Sequence, residues 1–155
     1  MKDETAVIAA QLRAGKTVVT STRGVSMEPL LHEDKTLVTL QPVQRTLCVG
    51  ELPIFLRNDG KYVIHRIIEV HDAYYRTRGD NCLSSETVPH TSVLGVVTEI
   101  YRNGSYLKVT DKKYLLYVWI WRITTPLRLM IFRGITWLKR IIRRIRQKKK
   151  KENNT

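Results

Sequence analysis

Pro53-Ile54-Phe55-Leu56-Arg57-Asn58-Asp59-Gly60-Lys61-Tyr62-Val63-Ile64-His65-Arg66-Ile67-Ile68-Glu69-Val70 is the stretch that decides the fold. Two runs of apolar, β-branched and aromatic residues flank an Asn-Asp-Gly turn, a pattern that predicts a β-hairpin. The same grammar extends outward. Further strands are expected at Thr17–Thr20, Thr36–Leu40, Ala73–Thr77, Val93–Ile100 and Ser105–Val109, with a second hairpin turn at Arg102-Asn103-Gly104. With Pro53–Arg57 and Tyr62–Val70 they form a set of seven short strands. The fold class expected is mainly β: a compact, partly open antiparallel barrel. Ala6 to Ala14 has helical spacing of Val7, Ile8 and Leu12, with Gly15 as its stop.

Three short motifs carry chemistry. In chain order they are Gly24-Val25-Ser26-Met27-Glu28-Pro29, then Tyr62-Val63-Ile64-His65-Arg66, then Arg78-Gly79-Asp80-Asn81. They supply a hydroxyl, an imidazole and a carboxylate, the set that hydrolysis by serine needs, because a serine hydroxyl is a poor nucleophile until a base takes its proton. The separations of 39 and 15 residues mean that the three meet only through tertiary folding. Taken singly, each has an ordinary reading. Ser26 before Met27 fits a turn, His65 among Val63, Ile64, Ile67 and Ile68 fits a packed strand, and Gly79-Asp80-Asn81 fits a turn.

The ordered combination resembles the signal peptidase I-like serine peptidases, and within them the archaeal and endoplasmic-reticulum branch. That branch has a Gly-x-Ser-Met-x-Pro box, a strand ending in His-Arg and a Gly-Asp-Asn box. The likeness runs from about Val18 to Val97 and takes in Gly50-Glu51, where the family usually has Gly-Asp, and Val93-Leu94-Gly95-Val96-Val97. It implies Ser26 as nucleophile and His65 as base. For the third group it leaves Asp80 and Glu86 open, since Glu86 stands where reticulum-type enzymes have a second aspartate. The family's barrel architecture is implied as well. So is a peptide or preprotein substrate bound as an extended strand, with Met27 and Pro29 as candidate substrate-binding residues. The likeness further implies backbone amides near Ser26 as the oxyanion site.

Composition narrows the rest. Cys48 and Cys82 are separated by 33 residues, which excludes a Cys-x-x-Cys metal or redox box. Cys82, two residues after Asp80, is a weaker nucleophile candidate than Ser26. His32, His71 and His90 have no motif around them. No phosphate-cradling glycine loop or paired-carboxylate metal box occurs, so a mechanism with no metal and no cofactor is the simplest reading.

The formal net charge of +13 is unevenly placed. Met1 to Lys113 carries 15 Lys/Arg against 13 Asp/Glu, whereas Tyr114 to Thr155 carries 12 against one. Two regions are therefore expected: a peptidase-like domain over 1–113 and a cationic tail over 114–155. On a helical wheel, Arg128, Arg133, Lys139, Arg140, Arg143, Arg144 and Arg146 share an arc of roughly 160°. Met130, Ile131, Ile135, Trp137, Leu138, Ile141, Ile142 and Ile145 lie opposite. Such a helix is expected to lie in a membrane surface, with Trp137 at the acyl boundary and Arg140, Arg143 and Arg144 on anionic headgroups. A spanning helix is disfavoured, because the longest uncharged stretch, Tyr114–Trp121, has eight residues and a bilayer core needs about 20.

At the other end, Met1 to Lys16 contains Lys2, Asp3, Glu4, Arg13 and Lys16, which fits neither a signal peptide nor a spanning anchor. The expected location is therefore peripheral, on the cytoplasmic face of a membrane. No nucleic-acid partner is expected, since the tail's aromatic and isoleucine face suits lipid better than a phosphate backbone. The alternative function is a catalytically silent, membrane-bound peptide-binding module of the same fold.

Overall fold

The computed structural model describes residues 2–57 and 59–152; within it, the side chains of 2–5, 136, 144–146 and 148–152 are not described. Asn58 of the first predicted turn lies outside the described residues, as does the side chain of Arg144. The chain divides into two compact units, Met1–Val118 and Trp119–Thr155. The fold is mainly β: a curled, open antiparallel half-barrel with a C-terminal helix.

The first unit opens with helix α1 (Lys2–Arg13), which ends where Gly15 takes a positive φ of 78° that costs a residue without Cβ little. Among the described residues nine strands follow, two more than expected: β1 (Val18–Ser21), β2 (Thr36–Pro42), β3 (Pro53–Leu56), β4 (Tyr62–Ile64), β5 (Arg66–Val70), β6 (Tyr74–Arg78), β7 (Glu86–Pro89), β8 (Val93–Arg102) and β9 (Ser105–Lys108). The larger sheet has the order β1-β2-β8-β3-β4, with β9 also paired to β8. The smaller sheet has the order β5-β6-β7. All the pairings are antiparallel.

Strand β2 shows the period of two that a half-buried strand requires, with Thr36, Val38 and Leu40 inward and Leu37 outward. The long central β8 pairs with both β2 and β3, and both ladders slip register, at Thr39/Leu40 and at Ile54/Phe55. Such irregularities bend and twist a strand, which curls the sheet around its core. Leu12 of α1 enters that core beside Val18, Met27, Leu31, Val38, Leu40, Leu52 and Val97, each fully buried aliphatic side chain contributing about 1.5–3 kcal/mol. Gly95 permits this approach: a Cβ there would stand 2.8 Å from the Gln41 carbonyl oxygen and 3.1 Å from Leu12 Cδ1. The β8–β9 hairpin turns at Asn103 and Gly104, both with positive φ, as the Asn-Gly pair predicts.

The expected strand Tyr62–Val70 is two strands in two sheets. Up to Ile64 the chain pairs with β3, through Ile64↔Ile54, and from Arg66 it pairs with β6, through Arg66↔Arg78. His65 is the residue at the changeover. His65, Arg66 and Ile67 are buried in succession, which a single one-sided strand does not allow. The Arg66 side chain is committed to a polar network, while Ile67 fills a second small core with Leu47, Tyr75 and Val96.

Helix α2 (Lys112–Glu152) is continuous and carries Pro126 within it. The compact first unit extends through Val118, so the helix's first two turns belong with the β domain, five residues beyond the expected boundary at Lys113. In the second unit, Trp119, Met130 and Trp137 are all more than 60% exposed. Among the described residues this is the one helix long and apolar enough to cross a membrane, over Lys112–Arg143.

Candidate active site

Ser26 lies in the connection between β1 and β2, where Gly24 has a positive φ of 80°. Glu33 Oε1 accepts the Gly24 N–H at 3.0 Å, tying the near side of this loop to its far side. Met27 is buried in the main core and anchors the loop beneath Ser26. A second anchor comes from the Gly79–Asn81 segment. The Asn81 N–H donates to the Ser26 carbonyl at 2.8 Å, and Asn81 Nδ2 donates to the Val25 carbonyl at 3.1 Å.

Gly79 is where the three sequence motifs converge. A Cβ at that position would stand 2.6 Å from the Ser26 carbonyl oxygen, 2.8 Å from Cys82 Sγ and 3.1 Å from His65 Nε2. The Ser26 segment and one imidazole nitrogen therefore pack against the same glycine, and any side chain there would push them apart. On the other side of the ring, His65 Nδ1 lies 3.2 Å from Glu86 Oε1. That contact is short but not aligned as a hydrogen bond, and Arg57 takes the same carboxylate in a fork, with Nε on Oε2 at 2.8 Å and Nη2 on Oε1. Loose alignment of this kind is common in catalytic groups without substrate.

Asp80 has a different partner. Arg66 Nε and Nη2 donate to its two oxygens at 2.8 and 2.7 Å, in a bidentate pair buried on both sides. Tyr117 Oη also donates to Asp80 Oδ2, at 3.0 Å. Of the two carboxylates left open by sequence, Glu86 is thus the one beside the imidazole. The charge of Asp80 still reaches His65, but as the weakest of the influences on it.

Burial pushes the His65 pKa below the ordinary histidine value; Glu86 opposes this, Arg57 reinforces it and Asp80 opposes it more weakly. The imidazole is neutral at pH 7, the form a general base requires. Activity that depends on it falls as pH drops through that lowered pKa. Replacing Arg57 with methionine removes a cation that favours the neutral ring, so the acid limb of a pH–rate profile is expected to move to higher pH. Glu86→Gln removes the main opposing charge and is expected to move it to lower pH. Shifts in the same direction for both variants would show that the two side chains do not act on His65 through their charges.

Burial also raises the Cys82 pKa, with Glu86 the next cause. Its thiol stays protonated at neutral pH and is a poor nucleophile. Burial drives the Arg66 pKa down, yet the hydrogen bonds and charge of Asp80 outweigh it and the guanidinium stays charged.

A cleft of about 200 Å³ adjoins Ser26, lined by Thr20 and Ser21 of β1, Tyr62, Val63 and Ile64 of β4, and Met27. These two strands are the opposite ends of the larger sheet's order, so curling brings its two edges to one cleft. Met27 is both core and cleft wall. Pro29 is exposed and outside the cleft lining, and its carbonyl accepts a hydrogen bond from Arg102 Nη1 at 2.9 Å.

Two side chains were not picked out by sequence reasoning. Arg57, placed by the β3–β4 turn, holds Glu86, and Tyr117 holds Asp80. The second had a visible signal, the Tyr114/Tyr117 pair at helical i, i+3 spacing. Among the described residues no group of three or more His, Cys, Asp or Glu gathers to hold a metal ion. Trp137, Arg140 and Arg143 are exposed on α2, in the second unit. No protein-family model matches the chain, and no curated protein matches it.

Proposed function

We propose that this chain is a serine endopeptidase of the signal peptidase type, acting at a membrane on a signal-peptide-like or precursor-peptide substrate. The observation that carries the reading is the placement of one buried imidazole, with Nε2 against Gly79 beside the Ser26 segment and Nδ1 beside Glu86. In this scheme Ser26 Oγ attacks the peptide carbonyl as His65 Nε2 takes its proton. The proton then passes to the leaving amine, and a water activated by the same nitrogen releases the acyl group. Glu86, steadied by Arg57, favours the tautomer with a proton on Nδ1 and stabilises the imidazolium as it forms. Asp80 serves the site's architecture through Arg66.

The cleft supports an extended substrate. A strand laid between β1 and β4 finds unpaired backbone groups on both walls, and main-chain pairing of this kind supplies affinity independent of sequence. The resemblance to signal peptidases implies small residues just before the scissile bond.

Helix α2 is the proposed membrane element. Its exposed Trp and Ile side chains suit the acyl boundary, with Arg140 and Arg143 at anionic headgroups of the cytoplasmic leaflet. Arg128 folds back on its own helix: its guanidinium lies 3.4 Å from the centre of the Trp121 ring, and Nη2 bonds the Trp121 carbonyl and Thr125 Oγ1. This internal pairing lowers the cost of a deeper position for α2 than its charge alone suggests.

The test compares protein N-termini by mass spectrometry in membranes from cells expressing wild type or Ser26→Ala. Termini present only with wild type are expected, and they define the substrates and the cleavage rule together. Identical termini from two folded, membrane-bound proteins would replace the protease reading with that of a silent peptide-binding module.

A further inference from the structure

The first two turns of α2 are built into the polar interior beside the candidate site. Tyr114 is buried, donates to the Gly50 carbonyl at 3.2 Å and accepts from Arg66 Nη1 at 3.0 Å. Arg66 Nη1 also reaches the Gly50 carbonyl, at 2.9 Å. Val118 packs so closely on Gly50 that a Cβ there would stand 2.9 Å from Val118 Cγ1. One helical position from Val118, Tyr117 Oη donates to Asp80 Oδ2 at 3.0 Å.

These contacts end on the neighbours of the proposed catalytic pair. Arg66 is the residue after His65. Asp80 is the residue before Asn81, whose amide and side chain hold the Ser26 and Val25 carbonyls. The tyrosine hydroxyls therefore reach, at one remove, both the strand that carries the base and the loop that carries the nucleophile.

We propose that Tyr117 is a positioning residue: its hydroxyl fixes Asp80 and, through Asn81, the Ser26 loop, so that the start of α2 is a working part of the site. The catalytic part of this inference rests on the protease reading; the mechanical part does not. With the hydroxyl removed, Asp80 keeps the Arg66 fork but loses the hydrogen bond from Tyr117, and the Gly79–Asn81 segment gains freedom. The Ser26 carbonyl is then held less firmly and Oγ spends less time aligned with His65. Ground-state contacts of a peptide along β1 and β4 are untouched, so the rate falls and substrate affinity does not.

Two measurements on the full-length chain test this. The first is amide hydrogen exchange in wild type, Tyr117→Phe, Tyr114→Phe and, as a control, Tyr106→Phe, whose ring is 73% exposed on β9. In Tyr117→Phe, exchange at Asn81 and around Ser26 is expected to quicken about tenfold, as loss of one hydrogen bond to a charged group implies. The β2 and β8 amides stay at the wild-type rate. Unchanged exchange at Asn81, or uniform acceleration across the sheet, overturns the proposal.

The second is the rate and saturation constant for modification of Ser26 by a fluorophosphonate. Tyr117→Phe is expected to slow the step severalfold with the saturation constant unchanged; a change confined to the saturation constant overturns the positioning role. A wild-type protein inert to the reagent would count against the protease reading alone, and the exchange data would still decide the mechanical one.

Discussion

His65→Ala is expected to lose on the order of 10⁴-fold in peptide cleavage, the upper end of what a positioned general base supplies, and to keep its fold. The size follows from the absence of a substitute. Arg57 and Arg66 are cations, Cys82 is held as a neutral thiol, and Glu86 faces the ring from the side away from Gly79. The fold persists because the residues on either side are secured independently, Ile64 by β3 and Arg66 by β6. The assay uses a synthetic peptide spanning a junction found by the comparison of N-termini, with circular dichroism to verify folding. A folded alanine variant that cleaves at the wild-type rate eliminates the mechanism.

Asp80→Ala is expected to behave as a stability variant before it behaves as a catalytic one. The Arg66 guanidinium is buried and charged, and its carboxylate partner is buried as well. Deleting one member of such a pair strands the other, at a cost of about 3–5 kcal/mol. For a unit of this size that lowers the melting midpoint by roughly 10–20 °C. Removing both charges, as in Arg66→Met with Asp80→Leu, is expected to cost less than the single change, because no uncompensated ion remains. Thermal melts of the three variants decide the matter. A stable Asp80→Ala protein with lost turnover would return Asp80 to the role of orienting the imidazole.

Much of this molecule was legible in its sequence where one-dimensional signals carry the physics. The Asn103-Gly104 turn, the strand at Thr36–Leu40 and the stop at Gly15 follow local rules, and each appears where those rules place it. Strand β7 escaped detection because only Val88 of its four residues is fully buried. The division of Tyr62–Val70 also escaped, for a different reason. Apolar spacing reports that a chain is extended; it carries no information about which neighbour the chain pairs with, and at His65 only the neighbour changes. The same limit hid the assignment of the two carboxylates. Asp80 and Glu86 are both near His65 in the chain, but the partner of Asp80 is the very next residue, Arg66, whose side chain leaves in another direction.

The position of His65 between two sheets bears on how the molecule tolerates partial damage. An imidazole seated within one sheet would survive the local opening of the other. Here the imidazole is held on one side by strands that pair with β3 and on the other by strands that pair with β6, with Glu86 supplied by β7. If either sheet opens on its own, the ring loses its orientation while most of the backbone remains ordered. Any chemistry that needs the oriented imidazole is then lost well before the chain unravels, so the ordered state of both sheets is a precondition for using it.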